Sequence, residues 1–186
     1  MLYKFDQWWQ HLGLTLIGVV FVKTFSPWTI LCVFIAVMLL AFAHSFDDRK
    51  KYSIIYGILA LVATIGLKTI FQMIIVLLIM ALIYIYRFAK YMPISAIYKA
   101  FGYSLFFFLP IEIPTLESVL LYFLLCSIAF VSELFHEASH YDIEKKEGRT
   151  TTAIFLNFKV NKNVRRKVKF IVLTTGIIIL LFLLSR

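Results

Sequence analysis

The chain has 186 residues, of which 62% are hydrophobic and only 16% charged, with a mean hydropathy of +0.90. A soluble domain carries about 25% charged and about half apolar residues, so this composition excludes a water-soluble fold; it also excludes disorder, which needs low hydrophobicity. The formal charge of +9 therefore reads first as membrane topology, and no nucleic-acid partner is needed to explain it.

The apolar runs are continuous, whereas an outer-membrane barrel alternates apolar and polar residues. They predict an all-α, polytopic transmembrane bundle forming a single domain over residues 1–186. Seven segments approach the length of a span, at 10–25, 27–45, 53–70, 71–88, 93–110, 117–138 and 167–185. Ser26-Pro27 separates the first pair and the run from Asp47 to Lys51 the second. Lys68 and Gln72 set the boundary near Ile70, Met92-Pro93 the next, and Pro110 and Pro114 precede the sixth. Cys32 and Cys126 both lie inside apolar runs and read as small buried hydrophobes.

With the N-terminus in the cytoplasm and seven crossings, sixteen Lys and Arg fall inside. Only Lys23, Lys68 and Arg186 fall outside. This positive-inside bias predicts a multi-pass protein of the cell (inner or plasma) membrane, with membrane lipids as its first partners. Trp8 and Trp9 then belong to the inner interface belt and Trp28 to the outer one. Lys4, Asp6 and the paired tryptophans argue against a cleavable signal peptide.

Ionisable residues within spans mark function by default. On the second segment His44, Asp47, Asp48 and Lys51 fall at i, i+3, i+4 and i+7. On the sixth, Glu133, His136, Glu137 and His140 repeat that spacing, and Glu144 continues it. Each set occupies one narrow helix face, and topology puts both at the cytoplasmic side. Helix ends in the headgroup zone also carry such residues at little cost. Glu133, however, lies about a turn or more inside its span. Carboxylates and imidazoles on facing helices build divalent metal sites, and a metal beside cytoplasmic bases suits a diphosphate that must leave.

These residues resemble the UbiA superfamily of intramembrane prenyltransferases. Its members carry N-D-x-x-D-x-x-x-D at the second helix, and D-x-x-x-D followed by G-x-x-T at the sixth. In the stretch from Ser132 to Asn157, Gly148 and Thr151 match the G-x-x-T. His140 and Glu144 take the two Asp positions, with Glu137 and Glu133 at upstream acidic positions. In the first region Asp47 keeps the central Asp, while Ala43, His44 and Lys51 stand at the Asn, Asp and final Asp positions. Tyr86 and Lys90 sit near a family Tyr and Lys. The family has nine helices where this chain offers seven.

The resemblance implies transfer of an isoprenyl chain from its diphosphate to a lipophilic or aromatic acceptor, in a cavity between the second and sixth helices. Asp47, Glu137, His140 and Glu144 would carry the catalysis. Asp47, Asp48, Glu137, His140 and Glu144 would hold a divalent metal, Mg²⁺ by resemblance and Zn²⁺ or Fe by the imidazoles, with His44, Glu133 and His136 as alternative ligands. Lys51, Lys90 and Arg149 would neutralise the diphosphate. Aromatic faces such as Phe106-Phe107-Phe108 can stabilise an allylic cation, although packing is their commoner role.

Other readings stand beside this one. His136-Glu137-Ala138-Ser139-His140 spells H-E-x-x-H, the zinc motif of metalloproteases, which needs a third ligand from elsewhere. Glu133-x-x-His136 and Glu137-x-x-His140 repeat the ligand spacing of di-iron bundles. A third class is a non-catalytic UbiA-like structural or lipid-binding subunit, with partner chains completing the bundle.

Overall fold

A computed structural model describes residues 5–23, 26–47, 52–89 and 91–185, including the side chains of all but 5–11, 47 and 87. Among the described residues the structure is helical and contains no strand. The helices are α1 (Phe5–Val22), α2 (Pro27–Asp47), α3 (Ser53–Thr64), α4 (Ile70–Ala89), α5 (Ser95–Ser104) and α6 (Leu116–Ser139). The short α7 (Tyr141–Lys146) and α8 (Thr152–Phe155) then precede α9 (Lys162–Ser185).

Three of these helices are long and apolar enough to cross a membrane: α2 over Pro27–Phe46, α6 over Leu116–Ser139, and α9 over Lys162–Ser185. Almost all of α9 is left uncovered by the other helices, as a lipid-facing helix requires. The fourth expected segment forms α4, apolar over Ile70–Tyr86, and the first forms α1. The third and fifth are shorter than expected. α3 spans only about 18 Å before the chain turns at Ile65–Thr69. α5 ends at Ser104 and tightens into a 3-10 turn, Leu105–Phe108, giving about 23 Å of helix against a hydrocarbon core of about 30 Å.

The loops gather at two ends. At one end Lys68 pairs with Glu112 at 2.6 Å and sits 4.3 Å above the Trp28 ring. This joins the turns before α2, α4 and α6. At the other end Phe46 of α2 meets Tyr84 of α4, and Tyr86 stacks on Tyr98 of α5. Successive long helices therefore alternate in direction, and among the described residues Lys145, Lys146, Arg149 and Lys159, between α6 and α9, lie at this second end.

The core forms where α1, α2, α4 and the 3-10 turn converge. Phe106, Phe107 and Phe108 are all buried there, Phe107 against Phe21 and Phe108 between Phe71 and Tyr122. The Leu109 carbonyl, orphaned at the end of the turn, accepts from Gln72 Nε2 at 2.9 Å and from Cys32 Sγ at 3.4 Å. Gln72 also accepts from the Lys68 and Thr69 amides, which caps the start of α4. α6 starts with a capping box: Thr115 Oγ1 accepts from the Ser118 amide, and Ser118 Oγ accepts from the Thr115 amide.

Candidate functional site

The polar residues of α6 meet α5 and α8. Glu133 and Glu137 on α6, and Ser95 and Lys99 on α5, are each spaced i, i+4, so each pair shares a helix face. The two faces pack together. Glu137 is fully buried. Its carboxylate accepts from Ser95 Oγ at 2.8 Å, from Lys99 Nζ at 3.3 Å and from the Ala153 amide at 3.4 Å. Lys99 Nζ is also 3.3 Å from Glu133 Oε2, so one ammonium bridges two acids.

The start of α8 closes the cluster. The Thr152 amide donates to Ser95 Oγ, and Thr152 Oγ1 accepts from the Ala96 amide at 2.9 Å. The Val160 amide then reaches the Ala138 carbonyl at 3.2 Å, so the chain between α7 and α9 folds back along the last turn of α6. Every donor and acceptor around Glu137 is thus supplied from within the protein. A buried carboxylate is tolerated on this condition.

The G-x-x-T stretch shows what its glycine and threonine do locally. Gly148 has φ +70°, a left-handed conformation that glycine adopts freely. Its amide bonds the Lys145 carbonyl, and the Arg149 amide bonds that of Glu144, a Schellman closure of α7. Nothing lies within 4 Å of a Cβ built on Gly148, so Gly148→Ala is expected to cost only the backbone term, about 1–2 kcal/mol. Thermal unfolding of the detergent-purified variant measures it. Thr151 Oγ1 donates to Glu144 Oε2 at 3.0 Å. Burial raises the Glu144 pKa above its ordinary value, against the Thr151 hydrogen bond. Arg149 pairs with Glu147 at 2.7 Å and lies 5.7 Å above the Tyr91 ring.

The His136 and His140 rings lie 5.0 Å apart. His140 Nε2 is 3.1 Å from Arg165 Nη1 on α9. A guanidinium can only donate, so Nε2 must accept and the imidazole is neutral. Burial, followed by the charges of Arg165, Lys162 and Lys99, pushes the His140 pKa down from its ordinary 6.5. A depressed histidine contributes stability that is full above about pH 6.5 and is lost as the pH falls towards the lowered value. His140→Gln is therefore expected to flatten the fall in melting temperature below pH 6.5. An unchanged slope in a pH series would count against the pairing.

Of the residues singled out by sequence, the structure brings Glu133 and Glu137 together, and Glu144 with Thr151. His136 and His140 share a face. His44 lies half-buried at the end of α2, whose main packing neighbours are α1, α3 and α4, whereas α6 packs on α5, α8 and α9. Asp48, Lys51, Lys90 and the side chain of Asp47 lie outside the described residues. Among the described residues no three of His, Cys, Asp and Glu gather to hold a metal. Mg²⁺ takes free hard oxygens and keeps several waters. The Glu137 oxygens, already engaged by a hydroxyl, an amide and an ammonium, do not fit it. Sequence reasoning missed Lys99, Ser95 and Thr152. Lys99 falls inside the expected span 93–110, so the rule on intramembrane charges flags it.

No family model, curated protein or solved structure matches this chain.

Proposed function

We propose that this chain is a multi-pass protein of the cell membrane, UbiA-like in helix order, that works as a non-catalytic structural or lipid-binding subunit. The observation that carries this reading is the enclosure of Glu137. The acid that the resemblance places at the metal is sealed from solvent, and Lys99 neutralises it. A carboxylate held in this way fixes α5, α6 and α8 to one another, and its burial and its ammonium partner compete with any metal for it. The alternating long helices, and the basic residues between α6 and α9 at one end, support the multi-pass topology with a cytoplasmic N-terminus.

A specific observation keeps prenyl transfer as a second reading. Glu144 stays partly open beside Thr151, with Arg149 close in sequence, in the arrangement that the G-x-x-T resemblance implies. In that reading Glu144, with Asp47 and Asp48, would hold Mg²⁺, and Arg149, Lys51 and Lys90 would neutralise the diphosphate of an isoprenyl chain. The zinc reading of H-E-x-x-H has less support, because its glutamate is held by α5 and α8.

Thermal unfolding with geranylgeranyl diphosphate, Mg²⁺, both or neither separates these readings, alongside elemental analysis of the purified protein. The subunit reading expects no stabilisation that needs both. Stabilisation only by the pair, lost in Glu144→Gln with Arg149→Gln, would replace it with prenyl transfer. Stoichiometric zinc or iron would replace it with a metalloenzyme.

A further inference from the structure

The α8 turn has a feature that neither reading uses. Its inner side is pinned to the end of α6 by three contacts: Ala153 to Glu137, Val160 to Ala138, and the Phe158 ring to the Phe135 ring. Residues 135–138 belong to the last turn of a helix apolar enough to cross the membrane up to Ser139. The turn therefore lies at the depth where the acyl chains meet the headgroups. Its outward side chains are apolar, with Phe155 67% and Leu156 55% exposed.

The turn is also firmly built. Asn157 has φ +51°, its amide bonds the Ile154 carbonyl, and the Phe158 amide bonds that of Ala153. Tyr141 Oη donates to Asn157 Oδ1 at 2.9 Å. Beside it the first turns of α9 carry Lys162, Arg166 and Lys169 at i, i+4 and i+7, all exposed and on one face. The nearby acids are engaged elsewhere, Asp142 by Lys159 and Glu147 by Arg149. Among the described residues no carboxylate pairs with Lys162 or Arg166.

We infer that the α8 turn and the start of α9 form a docking surface for an anionic phospholipid leaflet. Phe155 and Leu156 enter the acyl boundary, and Lys162 and Arg166 hold the phosphates above them. A basic, apolar-tipped element at interfacial depth matches such a leaflet in both charge and polarity. The inference rests on the membrane reading and is independent of prenyl chemistry.

The test uses the full chain in nanodiscs of phosphatidylcholine, with or without an equal part of phosphatidylglycerol. Phe155→Trp is expected to add fluorescence that lipid brominated near the headgroup quenches and that acrylamide does not. Leu181→Trp on α9 is the reference. If Trp at 181 is quenched by lipid while Trp at 155 is reached only by acrylamide, the docking surface is wrong and the membrane reading stands. If lipid quenches neither, both fall. The charge half is read by phosphatidylglycerol binding, expected to weaken about fivefold for each base removed in Lys162→Gln and Arg166→Gln. Equal binding by wild type and double variant overturns it. So does an equal response to soluble glycerol phosphate, which would mark a site for free anions.

Discussion

Glu137→Ala is expected to destabilise the protein by about 3–5 kcal/mol, the range for removing one partner of a buried ion pair. The loss strands the Ala153 amide, leaves the Ser95 hydroxyl proton only the longer 3.5 Å contact with Thr152 Oγ1, and leaves Lys99 with Glu133 alone. Glu133→Ala costs less, because Glu133 keeps 15% side-chain exposure while Glu137 has none, and Glu137 still neutralises Lys99. Lys99→Met alone is also costly, since it leaves a buried carboxylate without its counter-ion. Combining Lys99→Met and Glu137→Leu with Glu133→Gln removes all three charges and is expected to recover part of the loss. Melting temperatures in one detergent, at one pH, rank the four variants.

The second large effect is Gly18→Ala. A Cβ on Gly18 of α1 meets the Phe107 carbonyl oxygen at 2.2 Å and Pro110 Cγ at 2.7 Å. Neither neighbour is the far end of a flexible side chain, so no rotamer change makes room. α1 must move away from the 3-10 turn, which lies at the centre of the core. Overpacking of this kind costs about 1–3 kcal/mol, and rigid neighbours place Gly18→Ala at the upper end. Gly13→Ala on the same helix is the control, because a Cβ there meets nothing within 4 Å. It is expected to stabilise by about 0.5–1 kcal/mol through the backbone entropy of glycine. Equal melting temperatures for the two alanine variants would contradict the close approach of α1.

The long helices were legible because their signals are local. Pro27 opens α2, and Pro114 with Thr115 opens α6. The boundary inferred from Lys68 and Gln72 coincides with the start of α4 at Ile70, because Gln72 itself caps that helix. The early ends of α3 and α5 were not legible, since hydropathy continues past both. α3 stops where Gly66 packs against Leu31, and α5 where Leu105 tightens the chain into a buried aromatic turn. The end of α5 has no breaker residue at the point of change, whereas α3 has Gly66, a stop signal within a segment whose hydropathy runs on.

The acidic stripe on α6 was equally visible in sequence, but its partner was not. The stripe on α2 looked like its counterpart because both lie at the cytoplasmic ends of their segments. The structure instead sets Glu137 against Lys99, 38 residues away on α5. Spacing shows which residues share a face, but it leaves open which helix that face meets. Lys99 alone could have redirected the reading, as a cation within an apolar segment that requires a buried acid.

A double-mutant cycle on Lys99 and Glu137, by thermal unfolding with and without EDTA, tests most directly whether that carboxylate belongs to the ammonium. With Glu137 held by Lys99, the two substitutions couple strongly, the double variant costs far less than the sum of the singles, and EDTA changes neither result. Additive substitutions would contradict the pairing, as would a wild-type stability that EDTA lowers to that of Glu137→Ala.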